Sequence, residues 1–310
     1  VTTDGGPAGS NATIRGRGGS SMSASDDPLV VIDGVPVENT TAINGMANPL
    51  ATIHPNYIET FTVLKDASAA AMYGSRATNG VIIITTKKGQ SGKLNITYNG
   101  NLSVSHKSED IDVMDAGTFR NYITETFGEG SPQVNALGKA STDWQKEIFR
   151  TAVSTDHNLS FSGTIPNVMP YRISVGYTRE NGILKTSYLD RWTVAINVNP
   201  KFFNNMLSLQ LNVKGVYNKN RFADAAAIGA AAEFDPTQPI YSDNSPYGNG
   251  YYMSLKADGT PIDIGIANPL AILNQKHDES TVKRSIGNAQ IDYRFHFLPD
   301  LRANLNLGYD

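Results

Sequence analysis

The residues of this chain that could carry chemistry are dispersed along it. The 310-residue sequence contains no cysteine, which excludes disulfides and thiolate-bound metals. Its histidines match neither the spacing of a zinc-ligand motif nor that of a nucleophile and its base; they are His54, His106, His157, His277 and His296. We therefore predict no catalytic residue, no metal site and no cofactor, and an enzyme is the weakest functional hypothesis.

Two short segments contain residue types found in chemical motifs but lack the rest of those motifs. Residues 16–19 (GRGG) are glycine-rich like a phosphate loop, yet they do not have its full spacing and do not join a strand to a helix. Lys65-Asp66 has the residue types of a catalytic pair, but an aspartate before an alanine-rich run is typical of a helix N-cap. We interpret the first segment as a flexible loop and the second as a helix start.

An aromatic-rich loop is the candidate surface for a ligand. Tyr241, Tyr247, Tyr251 and Tyr252 lie among glycine, proline, serine and asparagine in a long link. Tyrosine faces can stack on sugar rings, pack the loop itself or contact a partner protein, and the sequence leaves all three open. Residues 223–233 of the same link predict a short helix, because alanine is the strongest helix former.

The composition excludes some partners and leaves two architectures open. A formal net charge of -3 gives no electrostatic basis for binding nucleic acid. The apolar runs, such as residues 81–84, are far shorter than a membrane-spanning helix. A soluble protein and a transmembrane β-barrel both remain compatible with this composition, because only alternate residues of a barrel strand contact lipid.

The first ninety residues predict short strands separated by tight turns. Residues 28–32 and 35–37 are β-prone runs around Asp33-Gly34, the signal for a hairpin with a type I′ turn. Residues 58–64 predict another strand. Asp66 can cap a helix over residues 67–72, with Gly74 as the left-handed residue that ends it. Asn79-Gly80 then turns the chain into residues 81–86, a strand too apolar for an exposed edge.

Three segments of this region resemble the plug domain of SusC/RagA-type TonB-dependent transporters. They are Ile14-Arg15-Gly16, residues 28–36 (PLVVIDGVP) and residues 63–89 (VLKDASAAAMYGSRATNGVIIITTKKG). The last follows the family pattern almost without a gap, and the stretch from Ile14 to Gly89 that contains all three is about a quarter of the chain. The resemblance implies structural and gating roles for Arg15, Gly16, Asp33, Gly34, Lys65, Asp66, Tyr73, Gly74, Arg76, Asn79 and Gly80. It also favours burial of Arg15, Lys65 and Arg76 against a barrel wall.

The rest of the chain alternates apolar and polar residues. Seven segments have this pattern: residues 94–104, 158–162, 171–178, 191–199, 207–218, 288–297 and 301–309. Each therefore predicts a strand with one apolar and one polar face. The polar faces are rich in amides, which suits a wet lumen, and we expect His296 to lie on one of them.

The connections favour a membrane barrel over a soluble sandwich. Short turns at residues 164–169, 200–205 and 298–300 alternate with longer links at residues 105–156, 180–188 and 219–282. Outer-membrane barrels have short periplasmic turns and long extracellular loops. If the first strand runs outward, aromatic residues mark both ends of the strands: Tyr177, Trp192, Tyr217 and Tyr309 outside, and Tyr171, Phe202, Phe203 and Phe297 inside.

The predicted architecture is a small α+β plug domain (residues 1–90) followed by antiparallel transmembrane β-barrel strands (residues 91–310). Seven strands are too few for a plugged barrel, which takes roughly 22. The sequence starts at Val1 without a leader and stops at Asp310 inside an alternating segment. We therefore expect a piece of a longer chain, with further strands after Asp310 and a TonB box before Val1.

The resemblance implies an integral outer-membrane protein that imports a nutrient. It implies a SusD-like surface lipoprotein and the TonB-ExbB-ExbD system as partners, with outer-membrane lipid around the barrel. Glycans are the first cargo class that it implies, and peptides the second. The alternative hypothesis is a β-rich surface module that binds glycans without transport, and it predicts a water-facing surface on the apolar sides of the strands.

Overall fold

The computed structural model describes two main sheets. It covers residues 2–3, 12–13, 28–37, 53–64, 73–77, 79–89, 92–165, 169–243, 246–256, 258–262 and 265–310. The predictions for Arg15, Gly16, Lys65, Asp66 and the helix at residues 67–72 lie outside these residues. A small antiparallel pair is formed by β1 (Thr2–Thr3) and β2 (Ala12–Thr13).

The smaller main sheet, called the N-terminal sheet below, has four strands. They are β3 (Leu29–Ile32), β4 (Val35–Val37), β5 (Ile58–Leu64) and β6 (Val81–Thr86), in the order β4-β3-β6-β5. The central strands β3 and β6 pair in parallel, and the other pairs are antiparallel. The predicted strands at residues 58–64 and 81–86 are confirmed, and β6 is a central strand, as its continuous apolar sequence requires.

The predicted turns of this sheet have the expected backbone. Asp33 and Gly34 have φ angles of 48° and 87°, so both central residues of the β3–β4 hairpin are left-handed, as a type I′ turn needs. Gly80 precedes β6 with φ of 94°. Gly74 also has a positive φ, of 67°, and begins a 3₁₀ turn, Gly74–Ala77. A second 3₁₀ turn, Pro55–Tyr57, leads into β5.

The N-terminal sheet buries apolar residues on both faces. One face packs Leu29, Val31 and Val81 with Ala77. The opposite face carries Val30, Ile32, Val35, Val37, Ile53, Tyr57, Ile82 and Ile84. This second face packs against two residues of the larger sheet, the fully buried Ile286 and the half-buried Ala195. The N-terminal sheet is therefore covered on one side by the larger sheet.

The larger sheet, called the wall sheet below, is an antiparallel meander of seven long strands. They are β7 (Asn95–Ser105), β8 (Ala152–Ile165), β9 (Met169–Asn181), β10 (Tyr188–Val198), β12 (Leu207–Phe222), β13 (Asp278–Phe295) and β14 (Leu298–Tyr309). The short β11 (Lys201–Phe202) pairs with β12 beside this path. All seven predicted strands form, in sequence order, and several are longer than the alternation indicated.

The predicted turn at residues 298–300 and the predicted position of His296 are wrong. The last turn consists of His296 and Phe297, not residues 298–300, because Leu298 already pairs with Phe295. His296 therefore lies in a turn and not on a polar strand face, with its Nδ1 2.8 Å from the Tyr293 hydroxyl. The predicted turn at residues 200–205 holds β11, followed by Phe203, Asn204 and Asn205 with positive φ.

The wall sheet buries its polar face and exposes its apolar face. Buried polar residues on one face include Asn158, Ser160, Ser174, Thr178, Thr193, Asn197, Asn212, Lys214, Asn218 and Asn288. Exposed apolar residues on the other face include Leu102, Leu159, Ile173, Val175, Val194, Ile196, Val213, Leu305 and Leu307. This distribution is the reverse of a soluble sheet, which turns its apolar face inward.

An aromatic row crosses the exposed apolar face. Tyr177, Trp192 and Tyr217 occupy one register level on three neighbouring strands. The Tyr177 and Trp192 ring centroids are 4.6 Å apart, and the Trp192 side chain is 50% exposed. A second aromatic group, which includes Phe295 and Phe297, lies at the opposite ends of the strands. The row contains three of the four residues predicted for the outer ends, but Tyr309 pairs with Gly287 at the level of Val213, inward of Tyr217.

Two long links connect the wall strands at the end where Tyr177 and Trp192 lie. The first contains α1 (Ala116–Phe127), α2 (Pro132–Asn135) and α3 (Trp144–Ile148). The second contains α4 (Ala226–Glu233) and α5 (Pro269–Gln275). The helix predicted at residues 223–233 is confirmed as α4, with its start at Ala226. The other four helices were not predicted.

The facing of the wall strands can be tested with one pair of substitutions. In the longer chain that we expect to carry this stretch, Leu209→Arg would place a cation on the apolar face, at a cost of roughly 2–4 kcal/mol if lipid covers the middle of that face. The matched control Gln210→Arg lies one residue on, on the polar face, where water and polar groups can solvate it. We expect only Leu209→Arg to reduce folded barrel, measured by heat-modifiable gel mobility. Equal losses would refute the register.

A second prediction concerns the hairpin turn. Gly34→Val puts a β-branched side chain at φ of 87°, which costs about 1–3 kcal/mol of backbone strain. A Cβ there would also lie 3.2 Å from the Asn306 amide nitrogen. We expect folded barrel at wild-type level and reduced uptake of the cognate nutrient. Gly34→Asn is the control, because asparagine tolerates positive φ. Normal uptake by Gly34→Val at wild-type surface level would show that the hairpin is irrelevant to gating.

Candidate functional site

Asp33 bonds the N-terminal sheet to the wall sheet. Its carboxylate accepts hydrogen bonds from the Thr86 backbone N–H at 2.8 Å and the Thr86 hydroxyl at 2.7 Å, which fixes it on the N-terminal sheet. The same carboxylate forms an ion pair with Lys214 of β12, and both side chains are only 6% exposed. The Asn288 amide of β13 donates to the Asp33 carbonyl at 3.1 Å. The hairpin turn therefore presents an anion to the one lysine at that register level of the wall.

A ladder of amides lies beside this ion pair. Asn197, Asn212 and Asn288 occupy one register level on β10, β12 and β13. The Asn197 amide donates to Asn212, and the Asn212 amide donates to Asn288 at 2.8 Å. Each amide has both donors and an acceptor, so the ladder satisfies a buried polar surface without any apolar side chain. The polar face of the wall is thus a hydrogen-bonded surface for the N-terminal sheet.

The segment that follows β6 contacts the same surface. The Gly89 backbone N–H donates to the side-chain oxygen of Asn197 at 2.8 Å. A Cβ at Gly89 would lie 2.6–2.8 Å from the Tyr171 backbone, so only glycine permits this approach. Lys88 Nζ donates to the Gln210 side chain at 2.9 Å. The connection between the two sheets is therefore bonded to the wall that it leads into.

A second group of contacts lies at the 3₁₀ turn Pro55–Tyr57. The buried Tyr57 hydroxyl lies 3.2 Å from the Thr193 hydroxyl of β10. His54 Nε2 lies 2.9 Å and 3.1 Å from the carboxylate oxygens of Asp156 on β8. Together with Asp33, these residues bond the N-terminal sheet to β8, β10, β12 and β13.

The two long links pack on each other through a shared core. Trp144, Ile148, Ala227, Phe234 and Leu273 are buried in it. The Trp144 and Phe234 ring centroids are 4.8 Å apart, and the Trp144 indole donates to the Asp235 carbonyl at 3.0 Å. A cavity of about 720 Å³ opens between the links, lined in part by Asp112, Met114, Phe119 and Pro236. The links therefore form a folded unit.

The four tyrosines of the predicted ligand loop separate into two pairs. Tyr251 and Tyr252 pack against the link core, and the Tyr251 hydroxyl accepts from the Asn274 amide at 2.9 Å. Tyr241 and Tyr247 are exposed, by 61% and 57%. The Tyr241 ring lies 5.2 Å from that of Tyr251. Tyr241 and Tyr247 therefore expose the larger part of their side chains, whereas Tyr251 and Tyr252 belong to the link core.

Tyr252 and Asp224 are among the groups of this link whose pKa values are displaced. Burial raises the pKa of the Tyr252 phenol, opposed by a hydrogen bond with Ser254. The Ala226 backbone N–H, with a smaller contribution from Lys276, lowers the pKa of the Asp224 carboxyl. Asp224 lies just before α4, where a carboxylate bonds to the first free N–H groups of the helix. Both displacements have structural causes and assign no proton-transfer role to these residues.

The remaining predicted plug residues have different environments. Tyr73 packs beside the core of Leu29 and Val31, and Asn79 is half-buried next to Gly80. Arg76 is exposed among the described residues and lies in the 3₁₀ turn that directs Ala77 into the core. Its burial against a barrel wall stays a prediction, because this chain holds only part of the barrel strands. Among the predicted charged plug residues that the structure describes, Asp33 is bonded to the wall.

The sequence did not single out Lys214, His54 or Asp156 as functional. Lys214 lies on the predicted polar face of its strand among amides and hydroxyls, and a lone cation there is a signal for a buried anion partner. His54 and Asp156 are 102 residues apart and carry no such signal. Among the described residues, no three metal-binding side chains cluster and no helix has the length and apolarity to cross a bilayer.

Comparison with known proteins identifies the N-terminal region. Residues 1–81 match the TonB-dependent Receptor Plug Domain family. The chain is 47% identical to the TonB-dependent receptor SusC of Bacteroides thetaiotaomicron over 99% of its own length and 32% of that protein. It is 33% identical to the TonB-dependent receptor P3 of Formosa agariphila over 99% of its length and 29% of that protein. The chain thus spans about a third of the length of these curated relatives.

Solved structures show the same fold. The RagAB peptide importer in its closed-closed state matches 93% of this chain and 35% of its own chain, with a TM-score of 0.65 and 22% identity. The α+β N-terminal sheet and the antiparallel wall are therefore the plug and an incomplete set of barrel strands of that fold. The relatives are receptors and not enzymes, in agreement with the prediction that no residue is catalytic. This chain belongs to the TonB-dependent receptors of the SusC/RagA type, which are outer-membrane proteins.

Proposed function

We propose that the complete receptor imports oligosaccharides across the outer membrane by TonB-dependent active uptake. A SusD-like surface lipoprotein covers its outer face, and TonB with ExbB and ExbD pulls on the plug from the periplasm. Residues 1–90 form the plug and residues 91–310 the first barrel strands. This division is supported by the positions of the two sheets, because the N-terminal sheet ends at Thr86 and the wall sheet begins at Asn95.

The observation that carries the transport proposal is the inverted wall sheet. Its apolar face is exposed and carries an aromatic row that includes Trp192, as a lipid-facing surface does. Its polar face is closed by the N-terminal sheet through Asp33 and Lys214. A wall that faces lipid on one side and a displaceable plug on the other has the arrangement of a gated pore. A surface glycan-binding module without transport needs water on the apolar face, where these side chains would form an unusually large apolar patch.

The cargo proposal rests on the family resemblance and on exposed aromatic side chains. SusC/RagA resemblance favours glycans first and peptides second. The exposed rings of Tyr241 and Tyr247 offer stacking surfaces of the kind that sugar rings contact. The solved peptide importer is 22% identical to this chain, a likeness that extends to the fold and not to the cargo. We therefore place oligosaccharides before peptides.

The proposed gating requires that the bonds between plug and wall be broken. The Asp33–Lys214 pair is the most buried of the ionic contacts between them. Removing one partner of a buried pair leaves the other charged and unpaired, at a cost of about 3–5 kcal/mol. The pair therefore holds the plug closed until force or ligand displaces it.

Uptake measurements test the cargo. A strain that lacks the complete receptor should lose uptake of at least one of maltohexaose, cellohexaose and mannohexaose, and complementation should restore it. A proton-motive-force uncoupler should abolish the same uptake. Uptake of a tryptic peptide mixture should be unchanged by the deletion. Loss of peptide uptake alone would establish the peptide alternative, and no change for either class would favour the binding module.

Substitution of the ion pair tests the closure. Lys214→Met in the complete receptor should speed hydrogen exchange of the Leu29–Ile32 amides, with folded barrel unchanged on heat-modifiable gels. Adding Asp33→Asn should reverse part of that effect, because no unpaired charge then remains buried. Lys219→Met is the matched control, since its pair with Glu279 has both side chains 42% exposed and such pairs contribute little. Equal exchange in wild type and Lys214→Met would contradict a closing role for the pair.

A further inference from the structure

A polar cavity of about 470 Å³ lies where the plug meets the outer part of the wall. Its wall side is built from inward-facing residues of the first four long strands. Asn101, Asp156, Thr178 and Arg191 form one register level across β7, β8, β9 and β10, and Asn99 and Glu180 line it as well. Its plug side is His54, Pro55 and Asn56. Among the described residues that line it, only Pro55 and Gly100 lack a polar side chain.

His54 connects this cavity to the plug. The Asn56 backbone N–H donates to His54 Nδ1 at 3.2 Å, so Nδ1 is an acceptor and carries no proton. The proton is therefore on Nε2, which donates to the Asp156 carboxylate at 2.9 Å. His54 is 2% exposed, whereas the Asp156 side chain is 27% exposed. The ring is thus held inside the interface while part of the carboxylate faces the cavity.

The wall has a specific space for the histidine ring. Gly176 of β9 faces it, and a Cβ at that position would lie 3.1 Å from His54 Cδ2 and 2.5 Å from the Thr193 hydroxyl. A side chain there would displace one or both groups, so the ring fits only above a glycine. The contact between His54 and Asp156 is therefore built into the wall.

The Asp156 carboxylate is shared between plug and wall. Thr178 donates its hydroxyl to Oδ2 at 2.8 Å, and Arg191 lies 3.3 Å from that hydroxyl. The carboxylate thus has one donor from the wall and one from the plug, and its exposed part can accept a further donor from the cavity. A ligand group that donates a hydrogen bond to Asp156 from the cavity competes with His54 Nε2 for the negative charge of this carboxylate.

We propose that this cavity binds a polyhydroxylated ligand, and that a ligand hydroxyl donating to Asp156 weakens the His54 contact and so loosens the plug. Carboxylates accept from hydroxyls, while the amides and the guanidinium donate to hydroxyl oxygens, which suits a sugar. The residues that line the cavity offer little apolar surface for peptide side chains. The inference rests on the proposed function and adds to it the residues that couple ligand binding to the plug. Asp156 is the binding residue, and His54 is a positioning residue that acts through it.

Hydrogen exchange on the complete receptor tests the coupling. The reporter is the peptide containing the Asn56 and Tyr57 amides, which bond to His54 Nδ1 and to the His54 carbonyl. The probes are maltohexaose, cellohexaose, mannohexaose and a tryptic peptide mixture, each with affinity measured by calorimetry. In wild type, at least one hexasaccharide should bind and speed exchange at this reporter. Asp156→Asn should weaken that binding about tenfold, as expected for loss of a charged acceptor.

Three further variants separate coupling from simple damage. His54→Ala removes the donor that competes for Asp156, so it should bind the hexasaccharide more tightly than wild type. It should show no ligand-dependent change at the Tyr57 amide, whose acceptor is the His54 backbone carbonyl and survives the substitution. His54→Gln retains a side-chain donor and should restore part of the ligand response. Tyr57→Phe removes a plug–wall hydrogen bond outside the cavity, so it should loosen the plug and leave sugar affinity unchanged.

The outcomes distinguish this inference from the proposed function. Hexasaccharide uptake without any exchange response at the reporter, or normal binding by Asp156→Asn, overturns the inference and leaves the transport proposal standing. Binding and an exchange response with the peptide mixture alone overturns the ligand class and the proposed cargo together. A hexasaccharide response that Asp156→Asn weakens and His54→Ala uncouples supports the inference.

Discussion

The polar face of the wall sheet is the constraint on which the rest of the structure depends. Buried polar groups need hydrogen-bond partners, and amides alone can satisfy one another, as Asn197, Asn212 and Asn288 do. A buried lysine cannot be satisfied in that way. Lys214 needs an anion, and Asp33 supplies it from a turn whose two left-handed residues point it at the wall. The hairpin, the covering sheet and the closed polar face follow from this requirement.

Side-chain alternation determined most of the fold that the sequence could predict. A period of two assigns each residue of β12 to one face, and the hairpin signal at Asp33-Gly34 is local. The strand ends next to the long links were not predicted. Residues there, such as Lys219 and Thr281, break the apolar alternation and still pair in the sheet. The parallel pairing of β3 with β6 also escaped, since no local pattern specifies which distant strands become neighbours.

The unpredicted helices and contacts have two different causes. The helices of the links carried cap signals, with Asp115 accepting from the Thr118 N–H and Asn268 standing before Pro269. Their short length and few buried residues gave no periodicity to support those signals. The Asp33–Lys214 contact spans 181 residues, and its partner choice depends on how many strands separate the hairpin from β12. The polar neighbours of Lys214 along its strand indicate that it needs an anionic partner. Only the order of the strands determines that this partner is Asp33.

The composition of the plug–wall interface is compatible with the displacement of the plug that we propose. Among the described hydrophobic side chains of the wall, Ile286 and Ala195 pack against the apolar core of the N-terminal sheet. The other named contacts are polar, and water in an opened lumen can replace each of them, so a typical one contributes only about 0.5–1.5 kcal/mol net. An interface of apolar side chains would have no such replacement on separation. Because the closed state relies on polar bonds, water that enters the opened interface can stabilise the displaced plug without unfolding the sheet.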